Sequence, residues 1–203
     1  MLNISSEMFF ISLFRFRLIG FVSLAACLGS NAIPCSAQTI FLPVASTPYD
    51  HQMSPISPVL NSSAGPMAGR ASLTTINHWM TSLRAIPYKY SPQWKTPAQV
   101  NSDVAADCKG KAILLYAILR ACGATHIRFV IGQHHLADLR THAWLEWDTT
   151  SGTYLLDPTF NRAVERVTER DPATYIPHYA YYGPRKYRVS YSRAPYASVV
   201  ASN

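Results

Sequence analysis

The chain has 203 residues, a formal net charge of +7 and a pI near 9.4, yet only 14% of its residues are charged. A hydrophobic fraction of 48% is enough to build the core of one ordinary domain, and the basic excess favours anionic surfaces such as phospholipid headgroups without specifying a fold. The basic residues form no dense run with interleaved aromatics, so the footprint of a nucleic-acid binder is missing and no nucleic-acid partner is expected.

The chain opens with an export signal. Arg15 and Arg17 form a positive region, and Leu18 to Leu28 is an apolar stretch too short to span a bilayer as a helix. Two cleavage readings stand side by side. Cys35-Ser36-Ala37 is a small-residue site that makes 1–37 a signal peptide. Leu24-Ala25-Ala26-Cys27 resembles a bacterial lipobox, which makes 1–26 a lipoprotein signal and Cys27 a lipidated membrane tether. Either places the mature protein outside the cytoplasm, in a periplasm or cell envelope. Residues 38–72 are rich in Pro, Ser, Ala and Gly, with Pro43, Pro48, Pro55, Pro58 and Pro66 interrupting any period, and read as an extended, largely disordered linker.

Residues 73–180 read as the folded domain. Ile76, Trp79, Met80 and Leu83 recur at helical spacing and predict a helix over Leu73 to Arg84, ended by Pro87. Thr96-Pro97 signals a second helix start. Asp107 precedes a strong helix running to about Cys122, with Ala112, Leu115, Tyr116 and Leu119 as its apolar stripe and Gly123 as its stop. Ile127 to Gly132, Thr141 to Trp147 and Tyr154 to Leu156 read as strands, the last two joined by a turn at Gly152. Val164 to Glu169 suits a strand or a helical turn. Residues 181–203 form a basic, tyrosine-rich tail in which Pro184 and Pro195 limit regular structure. Helices followed by antiparallel strands make an α+β layout.

Of four cysteines, two lie in or beside the leader. Cys108 and Cys122 would lie on one helix roughly 21 Å apart at its rise per residue, beyond the roughly 7 Å that a disulfide allows. Cys122 reads as a small buried hydrophobe. Cys108 follows a capping Asp107 and sits in the first helical turn, where free N–H groups and a partial positive charge favour a thiolate. Lys109 and Lys111 add positive charge, and Gly110 leaves room for a substrate or a partner strand to approach.

A thiol nucleophile needs a base, and the base needs an acceptor to orient it. His142 at the start of a strand and Asp157 at the end of the next supply both, and hairpin geometry brings them together. His134 and His135 lie nearby, but the spacing of 134, 135 and 142 fits neither a helical two-histidine motif nor a Cys/His zinc pattern. No metal and no cofactor is therefore expected. Trp94 is a candidate oxyanion donor through its indole N–H, with core packing as the competing role. Trp144 shares a strand face with His142 and would wall the site, while Trp147 on the opposite face would join the core.

Five segments in this order and spacing carry a family resemblance. They are Asp107 to Ala112, Leu119 to Gly123, Arg128 to Gly132, His142 to Trp147 and Leu156 to Thr159. Together they resemble the transglutaminase-like superfamily. The upstream Tyr88 to Pro97 segment, with Tyr90, Trp94, Thr96 and Pro97, is similar to the lead-in of the bacterial transglutaminase-like cysteine peptidases. The resemblance spans roughly Ile76 to Phe160. It implies a papain-like core, with a central helix carrying the cysteine at its N-terminus packed on an antiparallel sheet. It also implies Cys108 as nucleophile, His142 as base and Asp157 as orienting acid. Where calcium-dependent exported members carry acidic residues after the cysteine, this chain has Lys109, Gly110 and Lys111. Where they have Asp-Asn, it has Asp157-Pro158, nearer the general superfamily pattern.

The function these residues imply is an exported thiol hydrolase cleaving amide bonds in a peptide or protein. Two alternatives remain open: acyl transfer to an amine, as in a transglutaminase, and a non-catalytic binding module tethered to the envelope.

Overall fold

The computed structural model describes residues 38–66, 71–160 and 163–192. The leader, with Cys27, Cys35 and both cleavage readings, lies outside the described residues, as does the end of the tail from residue 193. The described elements are β1 (Gln38–Val44), a 3-10 turn (Ser54–Ile56), α1 (Ser57–Leu60), α2 (Leu73–Arg84), α3 (Pro97–Ser102), α4 (Cys108–Ala121), β2 (Ile127–His135), β3 (His142–Thr149), β4 (Gly152–Leu156), β5 (Glu165–Arg166), β6 (Thr174–Tyr182) and β7 (Arg185–Ser192).

Local sequence sets the helix ends. Ser72 caps α2 by accepting the Thr75 N–H at 3.1 Å. Thr96 and Gln99 form a reciprocal capping box at α3, with Pro97 in the first turn where its missing N–H costs nothing. Asp107 caps α4 by accepting the Gly110 N–H at 3.0 Å. Gly123 ends α4 with φ of +80°, a conformation that side-chain-bearing residues resist.

The strands form one antiparallel sheet in the order β1-β7-β6-β2-β3-β4-β5. Alternation along β2 and β3 divides the core in two. Ile127, Phe129, Ile131, Ala143 and Leu145 pack with Ile76, Met80, Leu115 and Leu119 of α2 and α4. Val130 and Trp144 face the other way and pack with Leu155, Tyr175, Ala180 and Val189. Trp147, only partly buried, packs on the helix side as expected, with its indole N–H donated to the Thr125 carbonyl at 3.0 Å. The α+β expectation, a helix on an antiparallel sheet, holds.

Gly132 marks a tight point near the site. The register between β2 and β6 shifts between Ile131 and Gly132. A Cβ at Gly132 would lie 2.0 Å from the Ile176 carbonyl oxygen and 2.8 Å from Trp144. Only glycine lets β6 approach β2 here, directly opposite His142 in the β2–β3 ladder.

Two expectations about the ends of the domain are corrected. Residues 38–66 are not a disordered linker. β1 pairs with β7 through seven residues, and Met53, Ile56 and Leu60 are buried in the helix-side core. The prolines occupy places that tolerate them: Pro43 lies on an edge strand, and Pro55 and Pro58 lie in the first turns of short helices. The tail reading fails likewise for residues 181–192. Gly183, with φ of +58°, and Pro184 turn the chain between β6 and β7, and β7 lies inside the sheet.

Candidate active site

Cys108 begins α4 as its first residue and is a buried free thiol; Cys122, at the other end of the helix, is also unpaired. His142 opens β3, and Asp157 directly follows β4. Leu145 pairs with Leu156 across this hairpin. Continuing that register sets Asp157 opposite Trp144 and leaves His142 on the diagonal, within side-chain reach.

The three groups lie together at one end of α4 and the β3–β4 hairpin, with Cys108 and His142 in one cleft wall. His142 Nε2 meets Asp157 Oδ2 at 2.8 Å. Its other ring nitrogen, Nδ1, is thereby left free of Asp157, and the Cys108 thiol lies near enough to the imidazole to favour its charged form. Burial opposes the charged imidazole, but the hydrogen bonds and negative charges of Asp157 and Cys108 outweigh it, and the His142 pKa is raised to about 9. Asp157 is completely buried. Burial by itself would raise its pKa, yet the hydrogen bond and charge of His142, the Thr159 N–H and the Tyr175 hydroxyl together hold it below the usual carboxylate range. The aspartate thus fills two roles, one on each oxygen. Oδ1 accepts the Thr159 N–H at 2.8 Å and closes the turn at Pro158, while Oδ2 orients the imidazole.

Tyr175 was hidden in a segment with weak sequence signals. It is fully buried, and its hydroxyl donates to Asp157 Oδ2 at 2.8 Å. Its backbone has φ of +51°, rare for an aromatic residue. Arg170 donates to the carbonyls of Thr174 and Tyr175 and so holds this unusual turn.

A cleft of about 460 Å³ opens over the thiol. Cys108 and His142 lie in its wall with Tyr49, Gln52, Tyr88 and Trp94. Tyr49 and Gln52 come from the segment read as linker, so that segment builds one side of the site. Trp94 is mostly buried, packs against Phe129 and directs its indole N–H at Gln52 Oε1, 3.4 Å away. The packing role proposed for it is therefore filled, and its N–H is engaged. The hydroxyl beside the sulfur belongs to Tyr88. An isolated bridge to Ala106 holds Tyr88 next to α4, and Tyr88 lines the cleft beside Cys108. Desolvation, then the charges of Cys108 and Asp107, push its pKa up to about 12, so it remains a proton donor at neutral pH.

Trp144 does not wall the cleft as expected. It is fully buried and stacks behind the imidazole, with ring centres 5.9 Å apart. The space above Gly110 is not a substrate approach either. A Cβ there would meet Val100 of α3 at 3.3 Å, so this glycine serves the packing of α3 on α4.

Fold and site together define an α+β protein with a cysteine and a histidine in its cleft and a buried aspartate bonded to the histidine. The chain is similar in structure to LapG of Legionella pneumophila. The calcium-bound form superposes with a TM-score of 0.51 at 18% identity, covering 70% of this chain and 81% of that one. The EGTA-treated form gives 0.52 at 17% identity, covering 73% and 81%. At this identity the likeness is one of fold. No protein-family model matches the sequence, and no curated protein matches it.

The residues after the nucleophile do not fit a divalent cation. Lys109 and Lys111 bring positive charge, Gly110 brings no side chain, and the nearby carboxylate of Asp107 is ion-paired with Lys109. Among the described residues no three His, Cys, Asp or Glu side chains gather where a metal could sit. Lys111 is buried and spans from α4 to the carbonyls of Arg84 and Ile86, at 3.3 and 2.6 Å, where it closes the C-terminal end of α2.

Proposed function

We propose that this protein is a cysteine peptidase that hydrolyses amide bonds in a peptide or protein through an acyl-enzyme on Cys108. The observation that carries this reading is the 2.8 Å contact between His142 and Asp157, with the Cys108 thiol in the same cleft wall as His142. A buried histidine kept charged beside a thiol describes a thiolate–imidazolium pair, the ground state of a thiol hydrolase.

The Cys108 sulfur attacks the scissile carbonyl carbon, and its electron pair moves onto the oxygen. The Cys108 backbone N–H and the Tyr88 hydroxyl, which lines the same cleft, would stabilise that oxyanion. As the C–N bond breaks, His142 gives its Nδ1 proton to the leaving amine. His142 then takes a proton from water, hydroxide adds to the thioester, and the carboxylic acid leaves as the thiolate–imidazolium pair re-forms. Asp157 and Tyr175 keep the ring aimed throughout. The aromatic cleft, with Lys109 and Arg140 in its walls and no carboxylate, suits an extended polypeptide. Export through the 1–37 signal, or lipidation at Cys27, would place this activity in the periplasm or cell envelope. No helix among the described residues is long and apolar enough to cross a membrane.

The test is to incubate the mature protein with denatured envelope proteins, with and without a primary amine, and to read the products by mass spectrometry. Hydrolysis predicts new N-termini and a transient acyl adduct on the Cys108 peptide. Incorporation of the amine in place of water would identify an acyltransferase instead. A protein that forms neither product nor adduct is a binding module.

Tyr88→Phe removes one donor and leaves the ring. We expect kcat to fall by about 100-fold with KM little changed, the cost typical of one oxyanion contact. Trp94→Phe should cost far less in kcat, because its N–H is already bonded to Gln52. Steady-state kinetics on a cleaved peptide check both, and equal effects would return the oxyanion role to Trp94.

A further inference from the structure

Lys109 immediately follows the nucleophile, yet its side chain turns back across the start of α4. The ammonium is bonded to Asp107 Oδ2 and to the Ser91 carbonyl oxygen. It lies 5.1 Å from the ring centre of Tyr90 and 5.9 Å from that of Trp94. The two partners of the ion pair are largely withdrawn from water, with side chains 12% and 4% exposed for Lys109 and Asp107.

Asp107 Oδ2 also accepts the Ser91 N–H at 3.1 Å, while Oδ1 accepts the Gly110 N–H at 3.0 Å. A carboxylate oxygen, a main-chain carbonyl oxygen and two aromatic faces therefore converge on one point. Oxygens of these two kinds are the donors a hard divalent cation takes. Here the point is filled by a charge carried on the chain itself. The contact joins two parts of the cleft that are distant in sequence: the turn of the nucleophile, and the 90–94 segment that supplies Tyr90, Pro92 and Trp94 to the cleft wall.

We propose that Lys109 is a tethered structural cation that takes the place of a bound divalent ion, fastening the 90–94 wall to the first turn of α4. The site is consequently assembled without metal. This holds whether or not Cys108 turns over a peptide, because it concerns how the cleft is built. Lys109 is a positioning residue, since its ammonium is spent on Asp107 and Ser91 and not on the reacting atoms.

The test uses the mature chain and reads iodoacetamide labelling of the Cys108 peptide by mass spectrometry across pH, together with the melting temperature, in excess EGTA and in excess calcium chloride. Wild type should behave identically in both. Lys109→Met, which keeps the stem and removes the charge, should lose about 10- to 100-fold in labelling rate at neutral pH, the scale of a misplaced site. Lys109→Arg should recover most of it. Lys109→Glu sets two carboxylates and a carbonyl around the same point, and its melting temperature should rise with calcium. Wild type that labels faster or melts higher in calcium than in EGTA overturns the proposal. So does a Lys109→Met protein with the wild-type labelling profile, or a Lys109→Glu protein indifferent to calcium. If Lys109→Met does not fold, the wild-type comparison and the Arg and Glu variants still decide the matter.

Discussion

Cys108→Ala should lower peptide hydrolysis by about 10⁴- to 10⁶-fold, the range seen when a covalent nucleophile is removed from an intact catalytic constellation. The reason is that no other group at this cleft can form the acyl intermediate. Tyr88, also beside the attack point, is held as a neutral phenol with its pKa up to about 12 and is a poor nucleophile at neutral pH. Stability should change little. The thiol is small and sits at the helix start, so its removal leaves a void of about one heavy atom, worth roughly 1 kcal/mol. Urea unfolding beside the kinetics separates lost chemistry from lost fold. Residual activity above about one percent in a folded Cys108→Ala protein would remove Cys108 from the nucleophile role. Cys122 offers no substitute, because it lies at the opposite end of the same helix.

The second large effect is carried by His142. Its pKa is raised to about 9 because the hydrogen bonds and charges of Asp157 and Cys108 overcome burial. In the proposed mechanism the charged imidazole protonates the leaving amine, so kcat/KM should decline as pH rises through about 9. The same ion pair governs stability. A histidine whose folded pKa lies above its unfolded value stabilises fully below about 6.5, and that contribution fades as pH rises toward about 9. Asp157 has the opposite sign. Its folded pKa is depressed, so its contribution is complete above the ordinary carboxylate value and is lost as pH falls through the lowered one. The pair therefore supports the fold best in mildly acidic solution.

His142→Ala removes both effects. Iodoacetamide should alkylate wild-type Cys108 readily at neutral pH if a thiolate–imidazolium pair forms with His142. In the variant the reaction at neutral pH should slow by about 100-fold, and hydrolysis by about 10⁴-fold or more. Equal and slow labelling of both proteins would mean geometry without a reactive thiolate, and the binding-module reading would replace the enzyme.

Much of the site was legible in the sequence because its signals are local. A capping aspartate, a cysteine and an apolar stripe identify the start of α4 and the position of Cys108 in its first turn. Alternation and a turn glycine identify the β3–β4 hairpin and therefore bring His142 near Asp157. Helix α2 is readable in full, since four apolar residues at helical spacing and a closing proline act within one or two turns. Short-range steric and hydrogen-bonding preferences determine these features wherever the rest of the chain lies.

The rest was decided by contacts between distant parts of the chain. Gln38–Val44 becomes a strand only because Arg185–Ser192 lies beside it. The prolines of the first segment look like interruptions until the fold places them at a sheet edge and in helix first turns. Alternation sets Trp144 on the face of His142 and leaves Trp94 between packing and an oxyanion role, but packing puts the first behind the imidazole and bonds the indole of the second to Gln52. Gln52 and Tyr175 sit in irregular or weakly patterned segments, and nothing in their own neighbourhoods marks them, while Tyr88 lies in a segment marked by resemblance without a role of its own. Lys109 was visible as a charge beside the nucleophile, but only the folded chain brings the Ser91 carbonyl and two aromatic rings to it. The sequence by itself determined which groups could react and on which elements they ride. The tertiary structure decided which groups surround them, because burial and long-range pairing, not local preference, choose neighbours across more than a hundred residues.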